Sequence, residues 1–533
     1  MSKKTFLRGA AVLAVAGLLV QVMGAIFRIP LGNIIGAEGM GYYQTVYPIY
    51  VFLLVFSTNG APAAISKMTS ERVALGRYSE AHRVFKLSFI LMFLLGIIAS
   101  SIFFFGADFI VHALKNPGAY YAMISIAPAL LFVPIMAVFR GYFQGLQQME
   151  PTAVSQLVEQ AFRVAVGLTL AILFVPKGVE YAAAGATVGT SIGPIAGVAM
   201  LLFIYYRKRK GLHREIDSDR TEEKESAGKI LGTLAAIAIP ITIGVSILPI
   251  MNIVDVTIVM RRLQETGFGA KEANALYGQL TGLAGPVINI PMALALSVAL
   301  SMVPAIAAAN SIKDTEFLNT NVRLGLRTAM IIGVPCTFGI MMLAEPLMLL
   351  FYPMQAASAS SAAPCLFILS IGIIFLSIAQ TMAGILQGLG RPYAAVISLG
   401  AGVVVKIIAT YIFAGIPELN VEGAAIGSSL AYAVVGIMNF ILVKRHTGVK
   451  FDVKLSVWKP LISGIVMSAA VLVIYYLCRS IIGNSLSTLL SVCVGAAVYG
   501  IMLIKVKAIE AHEIRLLPKG EKLVRILEKL RLI

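Results

Sequence analysis

Long apolar runs separated by short polar segments make up most of the chain. Each run is continuous rather than alternating, and most are close to the roughly 20 residues that a helix needs to cross a bilayer. The first run follows a basic N-terminus, as in a secretory signal, but no small-x-small cleavage site leads from it into a soluble domain, so we interpret it as the first transmembrane helix. The pattern therefore predicts fourteen transmembrane helices, at residues 8–34, 42–66, 85–107, 119–144, 151–175, 181–206, 229–260, 274–308, 322–348, 360–389, 392–414, 421–443, 457–478 and 484–504.

The composition favours the same class, an all-α polytopic membrane protein. Of its 533 residues 58% are hydrophobic and 13% are charged, whereas soluble domains are about 45–50% apolar and about a quarter charged. The net charge of +17 does not indicate nucleic-acid binding, because no basic water-soluble domain is visible. No nucleotide-binding loop is present, so no cofactor is expected. Nor is a metal site, since the cysteines lie in apolar runs without ligand spacing: Cys336, Cys365, Cys478 and Cys493.

The basic residues indicate how the helices are oriented. With the N-terminus in the cytoplasm, 34 of the 43 Lys and Arg residues fall in inside segments and six fall outside. This is the positive-inside pattern, and it predicts a multi-pass protein of the bacterial cytoplasmic membrane with both termini in the cytoplasm. The tail at 506–533 alternates apolar and basic residues from Ile509 onward, which is typical of an amphipathic helix on anionic lipids.

Two groups of motifs repeat at a spacing near 240 residues. The segment 140–146 (RGYFQGL) recurs as 383–389 (AGILQGL), and the GAxxGxS segment at 185–191 recurs at 423–429. Six predicted helices separate the copies, so the repeat is parallel and predicts two six-helix lobes around a central cavity, plus two C-terminal helices. The predicted divisions are a lobe at 1–206, a cytoplasmic linker at 207–228, a lobe at 229–446, helices 13 and 14 at 447–505, and the tail at 506–533.

With these motifs the chain resembles the MOP exporter superfamily (multidrug/oligosaccharidyl-lipid/polysaccharide). The segments 24–30 (GAIFRIP) and 277–282 (YGQLTG), with the two extra helices, are similar to the MurJ lipid II flippase and stage V sporulation protein B family. The resemblance implies a monomeric transporter without covalent catalysis. It implies export of an undecaprenyl-pyrophosphate-linked oligosaccharide, most of all lipid II, by alternating access. Coupling to the membrane potential, Na⁺ or H⁺ stays open.

Other functions stay open beside this one. The substrate of such a flippase is either lipid II or another cell-envelope polysaccharide precursor. A multidrug or cation antiporter of the same superfamily would favour an acidic cavity, whereas the membrane-depth charges here are three cations and two anions. A glycosyltransferase acting on the same lipid would need a large loop rich in acidic or His residues, and the outside loops are short.

The three membrane-depth cations are the first candidates for binding the substrate, because a charge at that depth costs about 2.5–3.5 kcal/mol unless it faces a cavity or a partner. Arg28 precedes Pro30, where we expect helix 1 to break. The resemblance implies that Arg28 lines the cavity and clamps a pyrophosphate; the alternative is an interfacial arginine. Gln21 stands where the family pattern has an earlier arginine.

Helix 5 carries Glu159 and Arg163 at i,i+4, so the two side chains share a face. They form a structural ion pair, or the pair opens and Arg163 meets the substrate. Lys406 lies 243 residues after Arg163, at nearly the same place in the second copy. It is either a symmetry-related cation of the cleft or a contact between lobes.

Helices 2 and 7 add further candidates. Asp255, with Asn252 three residues earlier, either binds Na⁺ or H⁺ for coupling or pairs with a cavity arginine. In helix 2, Tyr43 and Asn59 offer phenol and amide groups that suit sugar hydroxyls, with helix packing as the alternative role.

Overall fold

The computed structural model of the chain describes residues 3–55, 60–217, 219 and 225–509. These residues form helices and short turns, without a strand among them. The α-helices are α1 Lys3–Val55, α2 Ala61–Ala74, α3 Tyr78–Phe105, α4 Ala107–Ala113, α5 Tyr120–Ile126, α6 Ala129–Gly145, α7 Glu150–Phe174, α8 Val179–Asp217, α9 Ala227–Glu265, α10 Ala270–Gly278, α11 Gly285–Ser311, α12 Thr315–Met342, α13 Ala344–Phe351, α14 Ala356–Gly388, α15 Pro392–Phe413, α16 Glu422–Thr447 and α17 Lys459–Lys505. Two π-helical turns, at Gln279–Ala284 and Lys454–Trp458, precede α11 and α17.

The prediction of an all-α, multi-span membrane protein is confirmed. Within the described residues, 11 helical segments are long and apolar enough to cross a membrane. The predicted number of fourteen is not established by this finding. Two long helices, α1 and α17, each contain a break, at Gly36 (φ 66°, ψ −173°) and at Gly483 (φ 73°, ψ 176°). Both breaks fall between helices that the sequence predicts as separate. A single glycine therefore connects the two helices at each of these places.

The expected break of helix 1 at Pro30 is wrong. The helix that carries Arg28 continues through Pro30 and ends at Gly36. A proline removes one backbone hydrogen bond, which a membrane helix tolerates where neighbouring groups compensate. A positive φ combined with an extended ψ is accessible essentially to glycine alone, and the helix is broken at this residue.

The chain packs as two units. The first contains residues 1–264 and 268–278, and therefore α1 to α10 apart from the last residue of α9; the second contains residues 265–267 and 279–533, with α11 to α17. The lobes inferred from the sequence repeat, at 1–206 and 229–446, stay a prediction, because packing units and sequence repeats divide a chain by different criteria.

The repeated QGL motif makes the same kind of helix crossing in each unit. A Cβ atom added to Gly145 of α6 would lie 2.9 Å from the carbonyl oxygen of Ser66 in α2. A Cβ atom added to Gly388 of α14 would lie 2.8 Å from the carbonyl oxygen of Val303 in α11. Small residues at such crossings let two helix backbones approach closely within a membrane.

An aromatic core fixes α6 in the first unit. The ring of Phe85 in α3 lies 5.2 Å from that of Phe139, 4.6 Å from that of Tyr142 and 5.6 Å from that of Tyr205, between ring centres. Edge, tilted and offset-stacked pairs at these spacings each stabilise a fold by about 0.5–1.5 kcal/mol beyond their buried area. This packing holds one face of α6 against α3. Arg140, also on α6, contacts α7.

Candidate functional site

Two arginines share one ladder of tyrosines in the first unit. Tyr43, Tyr47 and Tyr50 lie on one face of α1, with ring centres 5.6 Å apart for the first pair and 6.1 Å apart for the second. The guanidinium carbon of Arg28 lies 5.6 Å from the centre of the Tyr47 ring, and that of Arg163 lies 5.3 Å from it. The break at the end of helix 1 folds the two halves of α1 so that one half presents Arg28 and the other the tyrosines.

Aromatic groups hold Arg163 from several sides. Its Nη2 donates a hydrogen bond to the Tyr43 hydroxyl at 3.0 Å, and its guanidinium carbon lies 5.9 Å from the Phe27 ring centre. Its Nε is buried and has no hydrogen-bond partner within the described part of the chain. Cation–π contacts contribute about 0.5–2 kcal/mol each, depending on how far they are removed from water. The arginine is therefore held in place while one of its donors is still unused.

Glu159 pairs with Arg140 and not with its neighbour on the same helix. Arg140 Nη2 lies 2.8 Å from a Glu159 carboxylate oxygen, and Arg140 Nε donates to Ser155 Oγ at 2.9 Å. The expected i,i+4 ion pair with Arg163 is thus replaced by a contact between α6 and α7. Arg140 lies four residues before the end of the predicted helix at 119–144 and is one of the 34 cations that the charge pattern assigns to inside segments, so sequence reasoning misses this contact.

A ridge of glycines on α8 positions the polar face of α7. A Cβ atom added to Gly189 would lie 2.6 Å from the carbonyl oxygen of Arg163, and one added to Gly193 would lie 2.7 Å from that of Glu159. Small residues spaced by four allow this close approach. The GAxxG motif of the sequence therefore continues into a ridge that sets the position of the two charged residues.

The charges at this site do not balance. Glu159 offsets Arg140, whereas among the described residues neither Arg28 nor Arg163 forms an ion pair. The arrangement leaves two guanidinium groups that share the Tyr47 ring. Guanidinium groups present planar forks of donors that match phosphate and carboxylate oxygens. The geometry is suited to a group that carries about two negative charges.

The other candidate residues from the sequence are not part of the arginine and tyrosine site. Lys406 is buried in α15 of the second unit, and its pairing with the first-lobe cations stays a prediction. Asp255 is buried in α9 while Asn252 is exposed, and a coupling role for either stays a prediction.

Three further features have no structural description. Gln21 lies on α1, but its side chain is outside the described residues, as is the whole of Asn59. The predicted amphipathic tail falls outside them from residue 510 onward.

The fold and the matched family models define the class of protein. The described part of the chain is an all-helical, multi-span membrane protein. Its sequence matches a family model described as "Polysaccharide biosynthesis protein" over residues 6–310 and one described as "MatE" over residues 240–412. The chain belongs to the polysaccharide biosynthesis protein family, within the MOP exporter superfamily.

Individual relatives agree with this assignment. The lipid II flippase MurJ of Bacillus subtilis (strain 168) is 31% identical over 467 residues, which cover 85% of each chain. Stage V sporulation protein B of the same organism is 26% identical, over 97% of this chain and 98% of its own. A solved structure of the lipid II flippase MurJ in an inward closed conformation has the same fold, with a TM-score of 0.67 at 15% identity, covering 92% of this chain and 97% of that one.

Proposed function

We propose that the chain is a flippase for an undecaprenyl-pyrophosphate-linked oligosaccharide, with lipid II as the first candidate. The observation that carries the proposal is the pair Arg28 and Arg163, which share the Tyr47 ring and have no ion-pair partner among the described residues. A pyrophosphate group supplies the two negative charges that such a pair lacks. The name of the 31% identical relative, a lipid II flippase, supports the same substrate.

The transport step needs no covalent chemistry. The head group enters the site from the cytoplasm, and the two guanidinium groups bind its pyrophosphate oxygens. The tyrosine hydroxyl groups form hydrogen bonds with the sugar. The lipid chain stays in hydrocarbon throughout. Release follows when the site opens to the other side of the bacterial cytoplasmic membrane. In this proposal both termini are cytoplasmic, the transporter is a monomer, and Asp255 is the first residue to test for coupling to Na⁺, H⁺ or the membrane potential.

The charge at the site argues against a multidrug or cation antiporter. A cationic substrate would have to approach Arg28 and Arg163 in a medium that screens charge poorly. The nearby carboxylate of Glu159 already holds Arg140 at 2.8 Å and is not available to attract a cation. An anionic head group meets the opposite situation, because both arginines attract it.

Reconstitution in liposomes tests the proposal. The purified protein is supplied with lipid II and, separately, with a teichoic or capsular lipid-linked precursor, and head-group movement is followed by accessibility to a membrane-impermeant reagent. Movement of lipid II that is lost in Arg28→Ala supports the proposal. Efflux of a cationic dye without movement of either lipid would show that the chain is an antiporter. Movement of the teichoic or capsular precursor alone would show that the chain is a flippase whose substrate is not lipid II.

A further inference from the structure

The segment that joins α16 to α17 in the second unit, which we call the 444–458 turn, carries a concentration of exposed cations. It connects two helical segments, at 422–447 and 454–505, that are each long and apolar enough to cross a membrane, so it lies at a membrane surface. Asp452 is the only acidic residue between positions 423 and 509. Among the described residues no side chain of the turn forms an ion pair. The exposed cations of the turn are Lys444, Arg445, Lys450 and Lys454.

Hydrogen bonds and ring packing fix the backbone of the 444–458 turn. α16 ends at Gly448, whose φ of 67° lies in the left-handed region that favours glycine. The ring of Phe451 packs on that of Phe440, with ring centres 4.8 Å apart. The N–H of Leu455 donates to Asp452 Oδ1 at 3.0 Å, so the one carboxylate of the turn caps the next helical turn. The cations therefore extend from a turn of fixed shape, and its carboxylate does not offset their charge.

Large apolar side chains are exposed among these cations. Trp458, the single tryptophan of the sequence, is 59% exposed, and Val453 is 53% exposed. Lys454 and Trp458 are the first and last residues of one π-helical turn, so they lie one turn apart. Tryptophan at the end of a spanning helix is typical of the boundary between the head groups and the hydrocarbon. A surface that offers an indole ring to the hydrocarbon edge and ammonium groups to the phosphate layer fits a phospholipid with a net negative charge.

We propose that the 444–458 turn binds the head groups of anionic phospholipids in the adjacent leaflet, which is the cytoplasmic leaflet in the predicted orientation. The lysine ammonium groups bind the phosphate oxygens, and the ring of Trp458 lies against the first methylene groups of the acyl chains. A lipid fits better than an acidic protein surface, because the exposed indole lies where a spanning helix enters the hydrocarbon. The site is separate from the predicted amphipathic tail, and it does not depend on which substrate the chain transports.

Quenching of the fluorescence of Trp458 tests the proposal, because the sequence has no other tryptophan. The full-length protein is reconstituted in phosphatidylcholine vesicles with increasing fractions of phosphatidylglycerol or phosphatidylcholine brominated near the head group, since bromine quenches tryptophan on contact. We expect half-maximal quenching at a lower mole fraction of the brominated phosphatidylglycerol. Lys454→Gln should raise that mole fraction about fivefold, the factor that one cation contributes at an anionic surface. Raising NaCl from about 0.1 M to 1 M should weaken the preference, because the Debye length falls from about 10 Å to 3 Å.

Two matched variants locate the effect. Lys67→Gln removes an exposed lysine of α2 that lies 3.9 Å from a carboxylate oxygen of Glu71, and Lys522→Gln removes a lysine of the predicted tail. Both should leave the half-quenching fraction unchanged, and Lys450→Gln replaces Lys454→Gln if the latter does not fold. Equal quenching by the two brominated lipids overturns the proposal in favour of an acidic protein partner, and absence of quenching overturns it as well. A fivefold shift in Lys522→Gln would assign the lipid to the tail, and one in Lys67→Gln to general surface charge; either result overturns the proposal.

Discussion

Replacing Arg28 with alanine tests the anion site with little structural disturbance. Its guanidinium carbon lies 5.6 Å from the centre of the Tyr47 ring, and no ion pair of this residue occurs in the described part of the chain. Loss of that contact costs the fold about 0.5–2 kcal/mol. A hydrogen bond from a charged group to its ligand contributes about 1.5–3 kcal/mol, so the dissociation constant of pyrophosphate should rise by roughly 10- to 150-fold.

Two assays on the same preparation measure these effects. Titration calorimetry on the detergent-purified protein gives the pyrophosphate affinity, and the liposome assay gives lipid II movement. We expect Arg28→Ala to abolish transport and to weaken binding, while its thermal midpoint falls by no more than about 2–4 °C. Arg28→Lys keeps the charge but loses the planar fork, so its affinity should lie between those of the wild type and the alanine variant.

The matched control is Arg207→Ala. Arg207 also lies over an aromatic ring, with its guanidinium carbon 4.9 Å from the centre of Phe203, but it is exposed near the end of α8. Its removal should leave affinity and transport unchanged. The reasoning is refuted if Arg28→Ala retains wild-type affinity and transport, or if Arg207→Ala loses as much as Arg28→Ala does.

Three further changes test the surroundings of the site. Glu159→Gln removes the negative charge that offsets Arg140, so pyrophosphate should bind more tightly in calorimetry while the unfolding free energy falls by about 1–3 kcal/mol. Weaker binding of pyrophosphate would contradict the charge argument. Gly193→Leu should separate α8 from α7 and lower both the thermal midpoint and the pyrophosphate affinity. Gly211→Leu should change neither, because a Cβ atom added there meets no described atom within 4 Å; equal effects of the two variants would contradict the role of the glycine ridge. Gly36→Ala should lower the unfolding free energy by about 1–3 kcal/mol because of the positive φ of Gly36. Gly17→Ala, in the helical part of α1, should not lower it in the same denaturation series, and an unchanged midpoint in Gly36→Ala would rule out strain at the break.

The sequence alone indicates the fold class and the first residue of the site. Continuous apolar runs predict helical spans, because the bilayer leaves no other way to satisfy the backbone of a single chain segment. Arg28 stands out because a charge within such a run needs a reason to be there. The gaps between predicted helices contain the turns at Gly36 and Gly483, but the sequence does not show that a single glycine with a positive φ makes each turn.

The pairing of charges within the site could not be predicted. Spacing alone puts Glu159 and Arg163 on one face of a helix, and the natural expectation is that they pair. The outcome depends instead on Arg140, which the packing of α6 against α3 directs towards α7. Such a contact depends on how α6 and α7 are aligned against each other in the fold. The residue spacing within either helix does not specify that alignment.

The contrast between Arg140 and Arg163 explains how a membrane site keeps its charge available. Removing a guanidinium from water is costly, and a carboxylate partner offsets that cost but cancels the charge. Arg140 takes this solution with Glu159, at 2.8 Å. Arg163 is held instead by a tyrosine hydroxyl and by the faces of Phe27 and Tyr47, which stabilise a cation without neutralising it. In the proposed function, a substrate carrying two negative charges completes this site, because the described side chains leave its positive charge uncompensated.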